Sequence, residues 1–83
     1  MATRTARLRV PLDIGLALQQ ARLAQGLSQM DLASELGISQ RSISEIESGK
    51  PTIYVRKLFS LMRATGVELT ASWESGKNDA PRY

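Results

Sequence analysis

The sequence predicts a small, mainly α fold of about four helices, two of them joined by a very tight turn, with one C-terminal β-strand. Three observations carry that expectation. Between Leu27 and Lys50 two short amphipathic stretches are separated by only Gly37 and Ile38, and each opens on a serine, Ser28 and Ser39. On either side, Ile14, Ala17, Leu18 and Ala21, and then Val55, Leu58, Phe59 and Met62, recur at the three- and four-residue spacing of one helix face. From Val67 the period drops to two: Val67, Leu69, Ala71 and Trp73 alternate with Glu68, Thr70 and Ser72, as in a half-buried strand.

Taken in order, residues 1–10 lack apolar periodicity and carry Arg4, Arg7 and Arg9 with no acid. They are expected to form a basic arm, mobile at its start and extended near Leu8 to Val10. Pro11 and Asp13 open a helix running from about Leu12 to Gln25, since proline suits a first helical position and an acid suits the positive helix end. Gly26 stops it. Ser28 and Asp31 start the next helix, in which Leu32, Ala33 and Leu36 share a face, and Gly37 supplies a left-handed cap. Ser39 restarts a helix whose apolar positions are Ile43 and Ile46, and Gly49 ends it. Pro51 breaks the chain, Thr52 caps a fourth helix over about 53–64, and Thr65-Gly66 closes it. This divides the chain into an arm (1–10), a helical domain (11–66), a strand (67–74) and a polar tail (75–83).

The strand raises a structural question. A lone strand cannot satisfy its own backbone groups, and the only other extended candidate is Arg7 to Val10. The expected partner of Val67, Leu69, Ala71 and Trp73 is therefore the same strand of a second copy, in a two-fold homodimer. A strand-like tail packed over its own helices is the alternative.

Composition narrows the function. An 83-residue chain is one domain near the lower limit for folding on a single core. It has no cysteine and no histidine, which excludes disulfides, thiolate chemistry and the usual zinc sets. No metal or other cofactor is expected. No apolar run approaches the roughly 20 residues of a membrane span, so a cytoplasmic location is expected. Net charge is only +3, but the basic arm on a nearly neutral body suits a partner rich in phosphate. No glycine loop suits a nucleotide, and Glu45 and Glu47, two apart on a helix, point to different faces, so an enzyme is not expected.

Two helices joined this tightly must cross steeply. The second then presents amide, guanidinium and hydroxyl groups, the build of a helix-turn-helix DNA reader. Gln40 can bond an adenine edge with both ends of its amide, and Arg41 can do the same to guanine O6 and N7. Ser44, one turn on from Gln40, can make a shorter contact, and Glu45 can accept from cytosine. Ser39 and Ser42 suit phosphate, with capping as the other use of Ser39. Gln29 can donate to phosphate or brace Gln40, while Lys50 and Arg56 suit phosphate. Arg22 and Glu47 have a different expected role, an ion pair fixing the angle between the first and third helices. Taken singly, each polar residue could also be no more than a solvated helix face.

Residues 14–66 resemble the lambda-repressor-like domain of the Xre class. The residues that carry the likeness are Arg22, Gly26-Leu27-Ser28-Gln29, Leu32-Ala33, Gly37-Ile38-Ser39, Ile43-Ser44, Ile46-Glu47 and Gly49-Lys50. The resemblance implies DNA contacts at Gln29, Gln40, Arg41, Ser42, Ser44 and Glu45, and a salt bridge between Arg22 and Glu47. The whole chain is also similar to the HipB antitoxins, which place a strand after this core where phage repressors have a fifth helix. That likeness implies a dimer that represses its own operon from an inverted-repeat operator in double-stranded DNA, associated with the nucleoid when bound, and that binds a HipA-like serine/threonine kinase toxin. Arg41 departs from the small residue expected there, so the operator should differ. A stand-alone regulator without a toxin is the alternative, and a protein-interaction module without a DNA role is a third reading.

Overall fold

The computed structural model describes residues 2–76 and orders them as β1 (Thr3–Leu8), α1 (Pro11–Ala24), α2 (Gln29–Leu36), α3 (Gln40–Glu47), α4 (Ile53–Thr65) and β2 (Leu69–Glu74). The helix boundaries follow local chemistry. Asp13 Oδ2 accepts from the N–H groups of Arg9 and Val10 at 2.7 and 3.1 Å, which ties the entry to α1. Ser28 and Asp31 form a reciprocal capping box at the start of α2, each side chain accepting from the other's backbone N–H at 3.0 Å. Ser39 and Thr52 cap α3 and α4 through the N–H groups of Ser42 and Val55. Gly37 and Gly66 cap α2 and α4 with φ near +70 and +76°, a conformation that strains any residue with a Cβ.

One expectation is corrected. The C-terminal strand does not need a second copy to be paired, because β1 and β2 form an antiparallel ladder within one chain, with Arg4 opposite Trp73, Ala6 opposite Ala71 and Leu8 opposite Leu69. Val67 lies before β2, which begins at Leu69. The basic arm is therefore largely a strand, and Arg7 ion-pairs with Glu68 across the sheet. The signal was present: Ala6, Leu8 and Val10 alternate with Arg7 and Arg9. It is short, and two arginines and two threonines dominate the strand.

The sheet lies on α1. Ala6, Leu8, Ala71 and Trp73 are half-buried on one face, and Leu8, Ala71 and Trp73 line a small cavity with Ile14, Ala17 and Ala21. This is the packing that the strand-over-helices alternative foresaw. Phe59 of α4 is the most deeply buried side chain, at 1% exposure, followed by Ile43 of α3. The helix faces are less buried than their periodicity suggests. Leu18, Leu36, Ile38 and Ile46 border a groove of about 340 Å³ and stay exposed, as does Leu58. Four helices and a two-stranded sheet cannot cover every apolar residue of so small a chain.

Gly15 sets the spacing between α1 and α3. A Cβ there would stand 2.3 Å from the carbonyl oxygen of Glu47 and 2.6 Å from that of Ile46, so the end of α3 rests directly on the backbone of α1. No helix in the described residues is long and apolar enough to cross a membrane. Of the tail, residues 77–83 lie outside the described residues.

Candidate nucleic-acid interface

The site is built on the α2–α3 pair and braced by α1. Ser39 ends the turn from α2 and starts α3, so the first residues of α3 to leave the helix body are Gln40 and Arg41. Both are exposed, Arg41 with 85% of its side chain open to solvent. An exposed amide and guanidinium side by side at a helix N-terminus are the groups that read base edges in a major groove. Ser44 is also exposed, one turn further along.

Gln40 does not stand alone. Its Nε2 donates to Gln29 Oε1 at 3.0 Å, and Gln29 Nε2 in turn donates to Glu47 Oε1 at 2.9 Å. The brace from Gln29 to Gln40 was foreseen. The second link, to Glu47, was not, because it joins residues 18 positions apart, at the start of α2 and the end of α3.

Glu47 is the anchor. Its side chain is 5% exposed and that of Arg22 is 8% exposed, and they form a bidentate pair with Arg22 Nε and NH2 at 2.7 and 2.9 Å. Arg22 also donates to the carbonyl of Leu27 at 2.8 Å, so one guanidinium ties α1, the loop before α2 and the end of α3. Burial pushes the Glu47 carboxyl up, but hydrogen bonds from Arg22 and Gln29 and the Arg22 charge outweigh it, leaving the pKa below the ordinary value. The same pair raises Arg22, chiefly through its hydrogen bond to Glu47 and against the opposing effect of burial.

A second charged group flanks the site. Lys50 Nζ donates to Glu45 Oε2 at 2.9 Å, and Arg41 Nε lies 3.7 Å from the same oxygen. Glu45 is lowered mainly by its hydrogen bond from Lys50. It pairs with Arg41 of the first turn of α3 and with Lys50 just past the end of that helix. Ser39 acts as the cap of α3, and its hydroxyl is also 2.9 Å from that of Ser42. Arg56 stands in an exposed patch of α4 with Ile53, Lys57, Ser60 and Leu61. The structure thus gathers Gln29, Gln40, Arg22 and Glu47 into one network and Arg41, Glu45 and Lys50 into another.

Comparison with known proteins decides the class. Residues 18–72 match the helix-turn-helix family model, a span that includes both networks. The chain belongs to the helix-turn-helix family. Over 63 residues it is 33% identical to an HTH-type transcriptional regulator, y4mF, of Sinorhizobium fredii, covering 76% of this chain and 83% of that protein. It is 38% identical over 61 residues to the endothelial differentiation-related factor 1 homolog of Danio rerio and 36% to the human protein of that name. There the match covers 74% of this chain but only 42% and 41% of the relatives, so it spans less than half of their length. No solved structure matches the chain. This helix-turn-helix is a DNA-binding domain of the transcription-regulator type and not an enzyme.

Proposed function

We propose that the protein is a sequence-specific transcriptional repressor that reads an inverted-repeat operator as a two-fold homodimer. The observation that carries this reading is the exposed Gln40–Arg41 pair at the start of α3, held from behind by Gln29. In it Gln40 and Arg41 read bases, with Ser44 and Glu45 as further base contacts, and Gln29, Ser39, Ser42, Lys50 and Arg56 face phosphate. Dimerisation is supported by the sheet, since a two-stranded ladder leaves one open edge on each strand for a second copy. Selection from random duplexes, followed by titration, tests the division of labour. Arg41→Ala is expected to relax preference at one position by roughly 5- to 150-fold. Lys50→Ala is expected to weaken all duplexes alike and flatten the salt dependence by about one unit of slope. Equal losses on every sequence from both variants would overturn the assignment.

The finer part of the proposal is a HipB-like antitoxin role that neutralises a HipA-like kinase and makes the DNA activity autoregulation. What supports it is the order of elements, a strand following the helical core where a fifth helix would otherwise stand. A stand-alone regulator is the second reading, favoured by y4mF, a transcriptional regulator matched over 83% of its length. Affinity purification of the tagged chain from its native cells separates them. A stoichiometric kinase-like protein supports the antitoxin role, and recovery of operator DNA without one supports the free-standing repressor.

A further inference from the structure

We infer that Glu47 is a positioning residue for base selection: acting through Gln29, it orients the Gln40 amide so that it presents one donor and one acceptor, and thereby selects adenine over guanine. The inference rests on the reading of Gln40 as a base-contacting residue.

The argument is one of hydrogen-bond polarity. An amide side chain can turn over by exchanging its oxygen and nitrogen, so a glutamine at a protein surface has no fixed polarity. Here the polarity is dictated from inside. The Glu47 carboxylate, paired with Arg22, can only accept. Gln29 must therefore turn its NH2 toward Glu47, which it does at 2.9 Å. Its oxygen is then left facing Gln40, so Gln40 must offer an N–H, as it does at 3.0 Å. One N–H of Gln40 is spent in that contact. One N–H and the carbonyl oxygen remain for DNA.

The remainder matters because purines differ in this pattern. Adenine shows an N7 acceptor beside an N6 donor in the major groove, the complement of one N–H and one oxygen. Guanine shows two acceptors, N7 and O6. With the relay reversed, Gln40 would accept from Gln29 and present two N–H groups, the complement of guanine. A buried negative charge two side chains away thus sets the polarity of an exposed amide.

The test measures binding of the full chain to duplexes that carry each base at the position where Gln40→Ala abolishes preference. Wild-type protein is expected to favour adenine over guanine there by roughly 5- to 150-fold. Gln29→Leu removes the relay but leaves the Arg22–Glu47 pair in place. It is expected to bring that ratio to within about threefold of unity while preferences at other positions hold. Glu47→Gln replaces an obligate acceptor with an amide that can also donate, so the polarity of Gln29 is no longer dictated and the adenine-to-guanine ratio should fall in that variant too. A Gln29→Leu protein that binds all duplexes more weakly but keeps the wild-type ratio would overturn the inference and leave Gln29 a phosphate contact or a structural brace. A Gln40→Ala protein with no altered preference at any position would overturn the base-reading assignment itself, and the inference with it.

Discussion

Replacing Arg22 with methionine removes the cation paired with a carboxylate that is 5% exposed. Glu47 would lose both guanidinium hydrogen bonds and the nearby charge, keeping only the 2.9 Å contact from Gln29. Removing one partner of a buried pair costs about 3–5 kcal/mol, because the remaining charge is left uncompensated. A domain of this length has a total stability of about 4–12 kcal/mol, so the loss is a large part of the whole. In melting temperature it corresponds to a fall of roughly 12–40 °C. Urea denaturation followed by circular dichroism measures it directly. The double variant Arg22→Met/Glu47→Leu removes the stranded charge and should recover most of the loss, since apolar replacement of a buried pair is often neutral. A cost below about 1 kcal/mol for Arg22→Met, the value of an exposed pair, would refute the claim that α1 and α3 are locked by this contact.

Gly15→Ala is expected to destabilise the domain by about 1–3 kcal/mol despite alanine's higher helix propensity, since its Cβ meets backbone oxygens of α3 at 2.3 and 2.6 Å; an unchanged melting temperature would show that α1 and α3 separate freely. Stability should also depend on acid. Glu47 has a folded-state pKa below its ordinary 4.5, so its contribution is complete above that value and is lost as the pH falls through the lowered one. An acid-unfolding curve that is the same for wild type and Arg22→Met/Glu47→Leu would count against this. Deleting residues 2–8 takes β1 from β2 and should lower the melting temperature and expose Trp73 to quenchers. Unchanged Trp73 fluorescence would mean that β2 finds its partner elsewhere. Trp73→Asp, which puts a charge against Ile14, Ala17 and Ala21, should loosen the sheet from α1 and yield monomers by sedimentation; a sedimenting dimer would refute strand-mediated pairing.

Much of this protein was legible in its sequence because the signals are local. A capping serine, an acid three residues later and a glycine past the last apolar residue each act within one turn of chain. They place α2 and α3 within a residue or two of where they stand. The same locality exposes Gln40 and Arg41, since a short helix that buries Ile43 must turn its other faces outward. The Arg22–Glu47 pair was also readable, from two oppositely charged residues in otherwise compact helices.

What the tertiary structure decided lies in contacts between residues distant along the chain. The pairing of β1 with β2 joins the two ends of the described chain, and no local pattern in six residues says which edge they will meet. Gly15 looks like a weak point in a helix until α3 is laid across it. The link from Gln29 to Glu47 exists only because α1, α2 and α3 meet at one point, and it turns a structural ion pair into the anchor of an exposed amide. Local propensity and capping act along the backbone, so the order of residues determines the elements. Hydrogen-bond polarity and close packing act across space, so only the assembled fold determines which way Gln40 faces.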